Sequence, residues 1–303
     1  MFGSSDRKRR RLNRFVPNVW GLEERLAPHA GLGGSDAHVH FFGQEMCAIP
    51  PVTIATEPHQ GASSLHTLHS ALPAGADMAQ TFALHSQPGA KQVIFLDFDG
   101  VVSTNTAFNN STRPTITTPA FDPSNNGAAF DTGELDRIQA IWQRVAEDFA
   151  PFNVDVTTQD PGVEGLRKTN GADTHYGIRV AIGGNSNTWY NRGVGGVAYY
   201  NSFNWNYDNT VFVFEDQLGN GNEKYVAEAA SHEVGHSLGL KHDGQLPSTE
   251  YYNGHGDGPT GWAPIVGVGF FKEVTQWSKG EYAGANNQQD DLAIITTQNG
   301  FGY

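Results

Sequence analysis

The sequence predicts an α/β fold in which a twisted, five-stranded mixed sheet packs against two helices. Five short runs rich in β-branched and aromatic residues predict the strands, and two segments with helical periodicity interrupt them. The 303 residues are 38% hydrophobic and 17% charged, an ordinary globular balance, and the 36 glycines indicate many turns. A chain of this length can bury a core without disulfide bonds.

The elements follow in a clear order. Residues 92–98 form an apolar run closed by Asp99-Gly100, which predicts a buried strand and a turn. Residues 103–130 are polar and contain three prolines, so they predict a long loop. A helix should begin at Asp131, with Glu134 as its capping-box partner, and end before Pro151. The other predicted strands are 154–158, 177–182, 196–200 and 210–214.

Residues 1–88 differ in composition from the rest of the chain, and the folded domain is predicted to span residues 89–303. They hold seven of the 12 histidines, and no Lys or Arg occurs between Arg25 and Lys91. No sustained period of helix or strand appears, so this part is predicted to be a largely irregular export leader, pro-segment or spacer. Its scattered histidines favour a solvated linker over a metal site.

The charge distribution excludes some partners. The chain carries a net charge of −13, but residues 1–25 hold seven basic and three acidic side chains, which leaves the remainder at −17. Such an acidic body argues against nucleic acid as a partner. The basic start favours a leader over a nucleic-acid arm, although the apolar run at 15–20 is too short and interrupted for a standard signal peptide. No stretch reaches the roughly 20 apolar residues of a membrane helix.

The most informative segment is a second predicted helix that begins near Asn222. His232 and His236 are four residues apart, so both imidazoles project from one face and can reach one ion. Gly239 should end the helix, because glycine readily adopts a positive φ, and the turn can then bring His242 back as a third ligand. Three imidazoles leave a fourth position for water, as a catalytic zinc site requires.

Glu233 follows the first of these histidines and is placed to take a proton from the water and pass it to a leaving amine. A bare His-Glu-x-x-His could arise by chance, but Gly239, His242 and Asp243 at fixed positions make coincidence negligible. A catalytically silent site with the same residues remains an alternative.

The pattern HExxHxxGxxHD resembles the signature of the metzincin zinc metallopeptidases. The resemblance spans about residues 91–303 and implies an upper subdomain at 89–239 and a lower one at 240–303. Asp243 is similar to the residue that supports the fold below the zinc in the reprolysin branch. The resemblance also implies that the edge strand Gly196, Val197, Ala198 and Tyr199 binds the substrate as an added antiparallel strand, although it could be an ordinary edge strand.

The sequence departs from that family at one point. Metzincins place a methionine beneath the zinc, whereas the three methionines here all lie upstream, and Val266 is the best counterpart. An apolar substitute suits a packing position. Residues 275–282 and 290–295 resemble the end of exported bacterial metzincins, with a closing helix capped near Asn287. Residues 9–12 and 22–28 resemble the N-terminal tag of many exported planctomycete proteins.

Several other residues have weaker patterns. Cys47 lies where matrixin pro-segments place a thiolate that blocks zinc, but its neighbours differ from that motif, so an incidental thiol is favoured. Asp97 and Asp99 could bind Ca²⁺ or cap a turn, and capping is favoured. For Asp208 and Asp216 the pattern supports Ca²⁺ binding no more strongly. His255 could be an additional ligand or a loop residue lining the cleft.

These observations predict a secreted, cell-surface or periplasmic bacterial zinc endopeptidase with a protein or peptide substrate, monomeric by default. Glu233 would be the catalytic base and His232, His236 and His242 the ligands of one Zn²⁺. The alternatives are a silent zinc-containing surface or adhesion module and a zinc amidase that acts on cell-wall material.

Overall fold

The computed structural model describes residues 39–41, 44–52, 77–127 and 129–303. The basic segment and the tag-like residues at the N-terminus lie outside the described residues. Within the part that is described, no helix combines the length and the apolar character needed to span a bilayer.

A mixed sheet organises the fold, and its strands run in the order β1-β2-β8-β9-β7-β3-β6. The strands are β1 (Val39–Phe41), β2 (Gln44–Cys47), β3 (Gln92–Asp97), β6 (Val154–Thr157), β7 (Tyr176–Ile182), β8 (Gly196–Tyr199) and β9 (Val211–Val213). The pairs β6–β3, β3–β7 and β7–β9 are parallel, whereas β8 is antiparallel to β9. The predicted α/β class is confirmed, with all five predicted strands in one sheet.

Two further strands lie in the part of the chain that was predicted to be largely irregular. β2 pairs antiparallel with β8, and β1 pairs with β2, so the segment expected to be irregular extends the sheet to seven strands. A 3₁₀ helix at Met78–Ala83 also precedes the predicted domain start. The sequence did not predict β2, because this short strand lacks the β-branched residues that mark a strand. It forms where the edge of β8 supplies hydrogen-bond partners. The boundary at residue 88 stays a prediction.

The two helices pack on this sheet and on each other. Helix α1 (Thr132–Asp148) begins at Asp131, and the predicted capping box with Glu134 is present in both directions. Ile138, Ile141 and Val145 are fully buried, and each contributes about 1.5–3 kcal/mol by leaving water. Helix α2 (Glu223–Ser237) begins after the predicted cap Asn222 and contacts α1, β8 and β9. Its position beneath β8 places the histidine face beside that strand.

The remaining elements are short. β4 (Val101–Ser103) pairs with β5 (Ile116–Thr118), so the predicted loop 103–130 contains a small hairpin. β10 (Trp262–Pro264) and β11 (Val274–Gln276) pair in parallel as a separate two-stranded sheet. The closing helix α3 (Asp291–Ala293), continued by a π-helical turn, is capped by Asp290 rather than near Asn287, because the Asn287 amide binds the Lys241 carbonyl instead.

One buried carboxyl group should make the stability of the fold depend on pH. Glu215 begins the 3₁₀ turn after β9, is 3% exposed, and accepts a hydrogen bond of 3.1 Å from the Asp122 amide. Burial raises its pKa to about 8. A folded-state pKa above the unfolded one means that the unfolded chain loses its proton first, so stability falls as pH rises between those values.

We expect Glu215→Gln to flatten this dependence. The wild-type free energy of unfolding should fall by up to about 1.4 kcal/mol per pH unit between roughly pH 5 and 8, and the variant should lack that component. Urea unfolding of both chains at pH 5, 6.5 and 8 measures it. An unchanged pH profile in the variant would mean that Glu215 is not the responsible group.

Candidate active site

Helix α2 carries two of the predicted metal ligands, His232 and His236, together with the predicted base Glu233. His232, Glu233 and His236 are fully buried, and the helix ends at Ser237 as expected. Gly239 has a φ of +97°, which only glycine adopts readily, and the turn leads to His242. The structure therefore brings together the residues that the sequence placed at the site.

Each of the three histidines is held through its Nδ1 atom. His232 Nδ1 lies 2.9 Å from the Ile265 carbonyl, His236 Nδ1 lies 2.7 Å from the Leu240 carbonyl, and His242 Nδ1 lies 2.9 Å from Glu250 Oε1. These partners are acceptors, so each Nδ1 carries the proton and each Nε2 carries a lone pair. Metal-ligating histidines show this arrangement of supporting acceptors.

The ring positions suit a shared cation. The Nε2 atoms of His232 and His236 are 2.9 Å apart, and the three ring centroids are separated by 4.5, 4.6 and 5.3 Å. Two lone pairs at that separation repel unless a cation lies between them. Burial, with a smaller contribution from His242, lowers the pKa of His232 to about 3, which keeps the ring neutral and able to donate its lone pair. The donor set fits Zn²⁺.

Glu233 follows His232 on α2, and among the described residues no ion pair involves it. Its Oε1 accepts a 2.8 Å hydrogen bond from the Ile49 amide, and its Oε2 has no hydrogen-bond partner among the described residues. Burial raises the pKa of this carboxyl well above its ordinary value. A Cβ atom on Gly196 would lie 2.7 Å from Cγ of Glu233, so the strand β8 approaches the carboxylate as closely as glycine permits.

The predicted substrate strand β8 is not an open edge in the described structure. Residues Gly196–Tyr199 are all buried, with β9 on one side and β2 on the other. Met46 pairs with Tyr199 and Cys47 with Ala198, antiparallel, as was expected of a bound peptide. We call residues 44–52 the cleft segment, because they occupy the position predicted for the substrate.

Cys47 approaches the histidines from this cleft segment. Among the described residues, the group of three His, Cys, Asp or Glu side chains with donor atoms all within 4.8 Å of one another is Cys47, His236 and His242. The Cys47 thiol therefore lies close to two of the predicted metal ligands, a position that the interpretation of Cys47 as an incidental thiol did not predict. Burial and the Glu233 carboxylate raise its pKa.

Two residues at this site escaped the sequence analysis. Glu250 holds His242, and the neighbouring Tyr251 ring lies over that histidine with centroids 4.4 Å apart. The Tyr251 hydroxyl donates a 2.6 Å hydrogen bond to the Ala48 carbonyl. Neither residue belongs to a recognised sequence motif. The sequence therefore contains no signal that the loop after His242 folds back onto the histidines.

The predicted supporting residues lie beneath the histidines. Val266 is fully buried, and a Cβ atom on Gly235 of α2 would be only 3.0 Å from its Cγ1 atom. The Asp243 amide donates to the Val266 carbonyl at 2.8 Å. Burial raises the pKa of Asp243 to about 7.

A clamp from the C-terminal region also secures the turn that carries His242. Gln289 Nε2 donates to the Gly239 carbonyl at 3.1 Å, and the Lys241 amide donates to Gln289 Oε1 at 2.8 Å. The amide-rich run at 286–289 is the sequence signal for this clamp, since adjacent Asn and Gln side chains commonly bond to turn backbone.

The weaker candidates lie elsewhere. His255 is exposed and bonds Tyr252 at 3.0 Å, so its interpretation as a loop residue is favoured over a ligand role. Buried Asp97 pairs with Arg179, which leaves no support for Ca²⁺ at Asp97 and Asp99. Asp208 caps Thr210, and Asp216 accepts from Asn185 at 3.0 Å.

Two of the anchored histidines lie on α2 and the third follows the turn at Gly239, an arrangement that suits a bound metal ion. Residues 141–243, about a third of the chain, match the model of a family described as metallo-peptidase family M12B, reprolysin-like. This match runs from α1 to Asp243 and supports a metzincin-like zinc metallopeptidase, a hydrolase that acts on peptides. A comparison with curated proteins finds no match.

Proposed function

We propose that the protein is a zinc-dependent endopeptidase with Glu233 as its general base. The observation that carries this proposal is the set of three buried histidines, each held at Nδ1 by an acceptor, beside a carboxylate with one oxygen left for another partner. His232, His236 and His242 would hold the zinc. A zinc ion there would supply Lewis acidity and lower the pKa of water to about 7.

The protein supplies proton transfer and positioning. Glu233 is fully buried, so its carboxyl works in a low-dielectric environment where it can accept a proton from water and release it to an amine. The strand β8 would align an extended peptide through backbone hydrogen bonds. The narrow space between β8 and α2, kept open by Gly196, sets the position of that carboxylate relative to the peptide.

The path of the cleft segment favours internal cleavage over removal of terminal residues. Its backbone is bonded on both sides of the site, at Glu45 by the Tyr200 amide and at Val52 by the Gly219 amide. A cleft through which the chain continues in both directions suits an endopeptidase.

We also propose that residues 1–88 include a pro-segment and that the protein is exported. The cleft segment fills the site, and Cys47 places its sulfur near His236 and His242, which would obstruct water. Export is supported by the resemblance of the basic start to an export tag. A test is the location of the full-length protein in fractionated cells, where retention in the cytoplasm would contradict export.

The alternatives make different demands on the same site. A silent adhesion module would not need an available Glu233 oxygen within the fold, and a cell-wall amidase would not need a peptide-binding strand. One Glu233 oxygen lacks a hydrogen-bond partner among the described residues, and β8 pairs with an extended antiparallel segment of the same chain; both features favour the peptidase.

Casein hydrolysis by the full chain tests the proposal. The Cys47→Ala chain, loaded with one equivalent of Zn²⁺, should cleave casein faster than the wild type, and a chelator should stop both. Metal analysis should show one zinc per chain. Activity that persists in chelator would contradict the mechanism, and failure to bind zinc would contradict the site.

A further inference from the structure

The loop before α1 contains a pattern that is typical of cation-binding loops. Residues 122–127 read Asp-Pro-Ser-Asn-Asn-Gly, so oxygen-bearing side chains stand at the first, third and fifth positions and a glycine stands at the sixth. Calcium-binding EF-hand loops use this alternation and close with a glutamate at the twelfth position. The corresponding glutamate here, Glu134, comes one residue later than in that pattern.

The backbone of this loop curls around its first side chain. Asp122 Oδ1 accepts from the Asn126 amide at 3.0 Å, and Asp122 Oδ2 accepts from the Gly127 amide at 2.9 Å. Asn125 and Gly127 have φ angles of +52° and +61°, which give the chain its tight turn. The loop therefore has a defined conformation with the Asp122 carboxyl at its centre.

Three side-chain oxygens meet beside the loop. Ser124 Oγ lies 3.2 Å from Asp122 Oδ1 and 2.6 Å from Glu134 Oε1. The hydroxyl has one hydrogen, which it can donate fully to only one of the two carboxylates. Oxygens that bind one calcium ion at about 2.3–2.6 Å are themselves about 3 Å apart. The observed spacing therefore suits oxygens that share a cation.

A buried carboxyl from another element points to the same place. Glu215 lines a cavity of about 580 Å³ together with Asp122, Asn125 and Gly127 of the loop. Glu215 is 3% exposed, and its Oε2 has no hydrogen-bond partner among the described residues. A buried carboxylate oxygen without a donor is unfavourable, and a cation in the cavity would supply the missing partner. This oxygen indicates a ligand independently of the loop.

The charge around the cavity is negative. In the part of the chain that the structure describes, no Lys or Arg forms an ion pair with any of its four neighbouring carboxylates, which are Asp122, Glu134, Glu215 and Asp216. Arg137 donates instead to the Asn220 carbonyl at 3.2 Å. A cation would therefore meet several carboxylates that the described side chains leave uncompensated.

We propose that a calcium ion binds between the loop 122–127 and Glu215, with Asp122, Ser124 and Glu134 as side-chain ligands. The donor set consists of oxygens alone, which suits a hard cation. Mg²⁺ demands near-ideal octahedral geometry, whereas Ca²⁺ accepts irregular sets of six to eight oxygens and completes them with water. The inference is independent of the proposed peptidase function, because it uses none of the residues assigned to the zinc site.

The ion would connect the starts of the two helices. Glu134 lies in the first turn of α1, and the turn that begins at Glu215 leads to Asn222, the cap of α2. Calcium would therefore fix the start of α2 relative to α1. An ion that binds the folded chain also stabilises it by mass action. The pH dependence expected for Glu215 belongs to the chain without calcium.

Isothermal titration of the full-length chain with CaCl₂ in calcium-free buffer tests the site. One ion should bind per chain, and MgCl₂ should bind at least about tenfold more weakly. Free calcium at about 100 times Kd should raise the midpoint of thermal unfolding by about 5–10 °C. The absence of both binding heat and a midpoint shift up to about 10 mM CaCl₂ would overturn the proposal, and equal affinity for Mg²⁺ would overturn the assignment to calcium.

Glu134→Gln separates cation binding from helix capping. Glutamine can keep the bond to the Asp131 amide but lacks the charge, so calcium affinity should fall by about tenfold or more while the calcium-free midpoint changes little. The matched control Glu147→Gln makes the same substitution at an exposed position near the other end of α1 and should keep the affinity of the wild type. Equal losses in the two variants would reduce the effect to general charge and overturn the site.

Two further variants test the site without touching α1. Ser124→Ala removes one hydroxyl from an exposed residue, and Glu215→Gln removes the charge that faces the cavity from the turn after β9. Both chains should show the circular dichroism spectrum of the wild type and weaker calcium binding. Wild-type affinity in both would contradict a cation between the loop and Glu215, whatever the outcome for Glu134→Gln.

Discussion

Glu233→Gln is expected to reduce casein hydrolysis by the zinc-loaded Cys47→Ala chain by about 10²- to 10⁴-fold, the usual contribution of a general acid–base group. Glutamine keeps the size of the side chain and an oxygen that can accept from the Ile49 amide, but it cannot carry a proton. The loss should therefore appear in kcat. Zinc content should stay at one per chain, because Glu233 is not among the predicted ligands.

The matched control is Glu223→Gln, the same substitution in the first turn of the same helix, nine residues before His232. Its activity should remain close to that of the parent. Comparable losses in the two variants would indicate a general effect of such substitutions on α2, and a fully active Glu233→Gln chain would refute the role of Glu233.

Gly196→Ala is expected to reduce activity by about 10²-fold, the effect of a misplacement of about 1 Å. The new methyl group would lie 2.7 Å from Cγ and 3.1 Å from Oε1 of Glu233, so one of the two must move. Because Glu233 is fully buried, the displacement shifts the carboxyl from its position instead of swinging it into solvent. Overpacking should also lower the free energy of unfolding by about 1–3 kcal/mol.

Gly193→Ala is the control for this change, since it lies three residues earlier and a Cβ atom there meets no atom within 4 Å. It should leave both activity and stability unchanged. Zinc binding should be retained in both variants, which separates displacement of the carboxyl from loss of the metal. A Gly196→Ala chain with parental kcat would mean that Glu233 works from another position.

Local rules explain why the sequence predicted so much of the site. The separation of His232 from His236 and the position of Glu233 follow from helical geometry, and the turn at Gly239 follows from the conformational freedom of glycine. The caps Asp131 and Asn222 are likewise local, because their hydrogen bonds reach only two or three residues along the chain. The five strands of the predicted domain were visible because buried strands need apolar, β-branched runs.

The cleft and its occupant depended on the tertiary structure. Cys47 and Ile49 meet His236 and Glu233 across more than 180 residues, and Tyr251 and Glu250 return to the histidines from a loop without a motif. Such contacts depend on which sheet edge is open and on where the loops fold back, and neither is encoded in a short window of sequence. Local pattern therefore identified the helix of the predicted metal ligands, while long-range packing decided what lies against it: a strand of the same chain whose Ala48–Ile49 bond lies between Tyr251 and Glu233.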